Sequence, residues 1–188
     1  HGVNNHPVHS SGEYNTSMGY QSLGAFTTGH SNVGVGMQAL RVATTGYDNT
    51  SLGTYSLYDL TTGAQNVSIG LSSGENITDG LQNVLIGYRA GYTGTSPDGS
   101  IGIGYRALYN NTANYNIAIG YDAGFAITSG TGNTIMGYGA GQALTTGLNN
   151  TLIGNQTGLL LTHSNNVAIG TLAFDAATSA EDSVVIGV

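Results

Sequence analysis

Few side chains in this chain have the type and spacing to do chemistry. Histidine occurs at His1, His6, His9, His30 and His163. The leader His1-Gly2-Val3-Asn4-Asn5-His6-Pro7-Val8-His9 offers three imidazoles, each of which a cyclic assembly would repeat as a ring around its axis. No carboxylate accompanies them and Pro7 interrupts local order, so residues 1–11 read as a leader or connecting segment and no metal site is expected. His30 and His163 have no recurring acidic neighbour to orient them as a serine-based triad would need. The ten carboxylates are scattered, Glu13 and Asp98 among them, with Glu181-Asp182 as the only adjacent pair. That leaves neither two facing acids for glycoside hydrolysis nor a cage for calcium. The expectation is a protein that is not an enzyme and carries no cofactor.

Composition narrows the classes further. Charged residues make up 7% of 188 residues, and the net charge is −7 with three dispersed arginines, Arg41, Arg89 and Arg106, and no lysine. Without a basic patch, neither nucleic acid nor an anionic membrane surface has a driving force to bind. No apolar run approaches the ~18 residues that would span a bilayer. Cysteine is absent, so disulfides and thiolate metal sites are excluded. Thirty-one glycines without a Gly-X-Y period exclude collagen, and 39% hydrophobic residues exceed what a disordered polar tract would hold. The start at His1, with neither methionine nor a signal-like segment, reads as a processed or excised product.

What organises the chain is a repeat. A glycine preceded by a large aliphatic residue recurs at Gly19, Gly36, Gly53, Gly70, Gly87, Gly104, Gly120, Gly137, Gly154, Gly170 and Gly187, a spacing of 17 residues that is twice shortened to 16. Three residues before this glycine stands Thr, Val or Ile, and four before it stands Asn15, Asn32, Asn49, Asn66, Asn83, Asn116, Asn133, Asn150 or Asn166, with serine only at Ser100 and Ser183. Three residues after it the side chain is always small, and eight after it stands threonine, from Thr27 to Thr178.

Alternating β-branched residues bounded by Asn and Gly predict a short strand, so each repeat is one coil of an all-β parallel solenoid over residues 12–188. The aliphatic pair three and one before the glycine shares one strand face, and is expected to fill the coil. A second short strand is expected over the aromatic-x-Ala segment, as in Tyr121-Asp122-Ala123, followed by a loop on Thr-Thr-Gly. The residue two before the glycine, Ala118 or Ala168 for example, points to the other face and is never charged. A strand without charge on either face is covered on both. Lateral packing of further copies against that second face is therefore expected, with cyclic symmetry.

The segments Ser183-Val184-Val185-Ile186-Gly187, Asn166-Val167-Ala168-Ile169-Gly170 and Asn116-Ile117-Ala118-Ile119-Gly120 resemble the head repeats of YadA-like trimeric autotransporter adhesins. The longer form Asn133-Thr134-Ile135-Met136-Gly137-Tyr138-Gly139-Ala140-Gly141, with Thr145-Thr146-Gly147, is similar to repeats of phage-type tail fibres and related bacterial surface proteins. The period here is longer than that of the autotransporter head. The resemblance implies a left-handed β-roll, a homotrimer, and an extracellular role in attachment to a cell-surface glycan or protein receptor.

Three columns are candidate surfaces. Tyr20, Tyr88, Tyr105, Tyr121 and Tyr138 follow the repeat glycine, and Tyr92, Tyr109 and Phe125 lie four residues further on. Tyrosine among Asn, Thr and Ser suits sugar recognition, but rings that stack along the rod and shield its sheet are the more ordinary reading. The Asn column is expected to be a structural amide ladder. The threonine column raises ice binding, which paired threonines on opposite sides of a strand serve poorly. Sequons such as Asn49, Asn76 and Asn110 arise from the repeat itself. The reading is a trimeric β-roll forming the shaft or head of an attachment fibre, with a filament stacked end to end as the alternative.

Overall fold

The structure, a computed structural model, describes residues 12–188. The leader histidines His1, His6 and His9 lie outside the described residues. Eleven strands follow one another: β1 (Thr16–Met18), β2 (Val33–Val35), β3 (Thr50–Leu52), β4 (Val67–Ile69), β5 (Val84–Ile86) and β6 (Ile101–Ile103). They continue as β7 (Ile117–Ile119), β8 (Thr134–Met136), β9 (Thr151–Ile153), β10 (Val167–Ile169) and β11 (Val184–Ile186). Each pairs in parallel with the next, in register, so that Ala118 lies beside Ile135 and Ile135 beside Leu152. The result is one sheet in sequence order. At about 4.8 Å per strand the solenoid is on the order of 50 Å long. Below, coil n is the stretch that begins at strand βn.

Only one strand forms per coil, and the expected second strand over Tyr121-Asp122-Ala123 is absent. That segment is a run of turns. Residues two and four past the repeat glycine adopt left-handed backbone in coil after coil, as at Asp122 (φ 52), Arg106 (φ 50) and Leu108 (φ 56). Such residues cannot continue a strand. Inter-coil backbone bonds persist nonetheless. The N–H of Arg106 donates back to the Tyr88 carbonyl at 2.9 Å, and that of Leu108 donates forward to the Ala123 carbonyl at 3.0 Å. The repeat glycine has its own cause: Gly120 sits at φ 139, and a Cβ there would collide with the Gly137 carbonyl of the next coil.

The faces of the sheet are the reverse of the sequence expectation. The middle residue of each strand points into the coil, and the aliphatic pair points out. Ile135 is 0% exposed against 41% for Met136 beside it, and Ala168 is 0% against 38% for Ile169. The reason is volume, because a coil closed by turns has a narrow interior that takes one side chain per strand. Where that side chain is large, at Leu85, Ile135 and Leu152, the residue four past the glycine is Gly91, Gly141 or Gly158; where it is small, at Gly34, Ser51 and Gly102, that place holds Leu40, Leu57 or Leu108. A Cβ on Gly158 would lie 3.0 Å from both methyls of Leu152, tighter than close-packed interiors accept. Buried serines close the remaining space, Ser51 donating to the Ser56 carbonyl at 2.8 Å and Ser56 to that of Ser68 at 3.1 Å.

The interior divides into two apolar clusters. One runs from Leu23 to Ala90, the other from Leu108 to Ala173. Between them, the place seven past the glycine, filled elsewhere by Leu60, Ile77, Ile127 or Leu144, holds Gly94 and then Asn111.

Candidate functional site

The asparagine column lines one corner of every coil. The side-chain oxygen of Asn32 accepts the backbone N–H and the side-chain amide of Asn49, both at 3.0 Å, while the Asn49 amide also donates to the Gly63 carbonyl at 2.9 Å. The same pattern joins Asn15, Asn32, Asn49, Asn66 and Asn83, and again Asn116, Asn133, Asn150 and Asn166. Nearly every donor and acceptor of these amides is therefore used inside the rod. At Ser100 the ladder lacks an amide, and Asn111 reaches in from the next coil to replace it. The Asn116 amide donates to the Asn111 oxygen at 3.0 Å, and Asn111 donates to the Ala113 carbonyl at 2.8 Å. A polar residue in an apolar column, one coil from a missing asparagine, was the signal for this repair.

The threonine column is likewise spent on the fold. Thr61 donates its hydroxyl to the Thr78 carbonyl at 2.9 Å, Thr112 to that of Thr128 at 2.8 Å and Thr162 to that of Thr178 at 2.7 Å. His30 stacks on Tyr47 with centroids 5.3 Å apart, and the Nδ1 of His163 lies 3.0 Å from the Thr178 carbonyl. Among the described residues no three His, Asp or Glu side chains converge.

The turn side of coils 5 to 8 brings the candidate tyrosines together in two stacks. Tyr88, Tyr105, Tyr121 and Tyr138 form one, with successive centroids 5.2, 4.6 and 5.3 Å apart. Tyr92, Tyr109 and Phe125 form the other, at 5.2 and 5.1 Å. Tyr20 is exposed and, among the described residues, has no stacking partner. Because the rings lie face to face, the middle of each stack presents edges and hydroxyls to solvent rather than the flat faces on which a sugar ring packs.

Arginines fill the strip between the stacks: Arg89 and Arg106, dispersed in the sequence, are neighbours here. The Arg89 guanidinium lies 5.2 Å from the Tyr88 ring centre and 4.8 Å from that of Tyr92, and Arg106 lies 5.1 and 4.7 Å from Tyr105 and Phe125. Arg106 forms a two-pronged pair with Asp122, Nε to Oδ1 at 2.8 Å and Nη2 to Oδ2 at 2.6 Å. That hydrogen bond to Asp122 raises the Arg106 pKa further, so the group is a permanent cation. Their common position two past the glycine, in adjacent coils, was visible in the repeat alignment.

The outer sheet face is a uniform surface that runs the length of the rod. Its two rows, from Thr16 and Met18 to Val184 and Ile186, hold only Thr, Val, Ile, Leu and Met. Two rows about 7 Å apart over eleven strands make a largely apolar strip of roughly 350 Å², within the range that marks an interaction site. No family model, curated protein or solved structure matches the chain.

Proposed function

We propose that the chain is a non-enzymatic structural and adhesive protein, the β-roll shaft or head of an extracellular attachment fibre, working as a homotrimer. The observation that carries this reading is the outer sheet face, an uncharged aliphatic strip running the full length of the rod on the side its own coil does not cover. Removing roughly 350 Å² from water is worth on the order of 10 kcal/mol per chain before the costs of association. Parallel sheets are ordinarily covered on both faces, and a second copy, having the same repeat, offers an apolar strip of matched length and period. The number of copies, three, and the extracellular attachment role follow from the resemblance to autotransporter heads and tail-fibre repeats. The aromatic turn side then faces outward, where a glycan or protein receptor would meet it.

Electron microscopy of the full chain tests the reading. Discrete rods on the order of 50 Å long, several coils wide, are expected. Rods one coil wide would overturn the lateral packing, and endless threads would favour the stacked filament.

A further inference from the structure

Arg89 differs from the other two arginines. Arg41 donates through Nε to Gln21 at 3.1 Å, and Arg106 is held by Asp122. Arg89 makes no side-chain hydrogen bond among the described residues, and its Nε is the one buried side-chain nitrogen or oxygen there without a partner. The side chain as a whole is only partly buried, so Nη1 and Nη2 meet solvent. Rings of Tyr88 and Tyr92 on its two sides hold the guanidinium in place. The next coil adds a like charge, Arg106, about 4.8 Å along the rod, and the coil on the other side presents the neutral, buried Ser72 at the same position. Two cations thus share one carboxylate, and that carboxylate binds Arg106. Glu75, in the preceding coil, forms no ion pair with Arg89.

From this we infer that Arg89, walled by the two tyrosine stacks, is a binding site for the carboxylate of an acidic sugar. A guanidinium fork matches a carboxylate with two parallel hydrogen bonds. The hydroxyls along the stack edges, Tyr88 and Tyr105 on one side and Tyr92 and Tyr109 on the other, supply donors and acceptors for sugar hydroxyls. This edge-on arrangement accounts for a saccharide site in which the ring faces are used up by one another. The inference rests on the attachment reading and names the ligand chemistry of its outward side.

The test is titration of the full chain with an oligosaccharide containing glucuronate, with a neutral oligosaccharide of equal length and with a sulfated one as comparators. The glucuronate probe is expected to bind at least tenfold more tightly than the neutral one, and less tightly as salt rises. Arg89→Gln should lose that preference, Arg89→Lys should retain part of it, and Glu75→Gln should tighten binding about two- to threefold by removing a nearby like charge. Equal affinity for glucuronate and neutral probes, a preference for sulfate over glucuronate, or unchanged binding by Arg89→Gln would overturn the assignment. Sedimentation of the same samples keeps the two readings apart: intact multi-chain rods without glucuronate binding sink this site alone, whereas monomers sink the fibre.

Discussion

The two faces of the sheet are built from the same three-residue strands and share an absence of charge, yet the chain treats them differently. Inward, the column that includes Ser51, Leu85, Ala118, Ile135 and Leu152 varies widely in size, and the largest members, Leu85, Ile135 and Leu152, are each matched by a glycine four past the repeat glycine. Outward, the rows are uniform and bulky, seven of the eleven residues before the glycine being isoleucine. Variation belongs to the face that the coil itself closes, because a neighbouring position can compensate. Uniformity belongs to the face that a regular external partner would cover, since every coil must then present the same contour.

The sharpest break between the faces is expected from truncation. Leu152→Ala opens a cavity against Gly158, which cannot fill it, and should cost about 3 to 4 kcal/mol. Ile119→Ala on the outer face should cost about 1 kcal/mol in chains dilute enough to be separate. Urea unfolding of both variants at low concentration reads the difference; equal losses would mean that the two faces are closed alike.

Next in size is the amide spine. Asn133→Ala leaves the Asn116 oxygen, the Gly147 carbonyl and the donors of Asn150 short of partners, a loss of about 3 kcal/mol. Thermal unfolding would measure it, and a loss below about 1 kcal/mol would reduce the spine to a solvated ornament. A smaller effect is expected at the gap between the two apolar clusters. Asn111→Ala removes the amide that bridges Ser100 to Asn116 and should cost about 1 to 2 kcal/mol, with amide exchange rising first around residues 94–111. Exchange that rises uniformly along the rod would show one continuous core. Tyr121→Asn, on the exposed stack, should cost under about 1 kcal/mol, since the ring's gain there is confined to stacking.

How much of this was legible in the chain follows from what a repeat can encode. Period, parallel register and the amide ladder were all readable, because Asn116, Ile117 and Ile119 recur at positions that only a stacked coil would keep equivalent. The faces were not. Alternation assigns residues to two sides but does not say which side the chain will close, and large aliphatic residues invite the assumption that they lie inside. The deciding signal was the reciprocal size of pairs such as Leu85 with Gly91 and Gly102 with Leu108, which only a shared interior explains. The second strand failed for a different reason: left-handed backbone at Arg106 and Leu108 is carried by residues that ordinarily avoid it, so their identity does not announce the turn that Asp122, and the glycines Gly91, Gly124 and Gly141 in the Leu108 column, tolerate more readily. On the turn side, tyrosine identity pointed to rings that the fold leaves at the surface, while the unpaired Arg89 emerged only once the stacks and the Arg106–Asp122 pair had been placed.

Whether further copies cover the outer face is most directly tested by sedimentation of Ile119→Asp beside Ala118→Asp and the parent. The account expects the parent to sediment with the mass of three chains and Ile119→Asp to sediment as a folded single chain, its carboxylate placed in the seam. Ala118→Asp, which puts a charge into the closed interior, should fail to fold rather than merely dissociate. A parent that sediments as a stable folded monomer, or an Ile119→Asp variant that keeps the parent's mass, would contradict the claim.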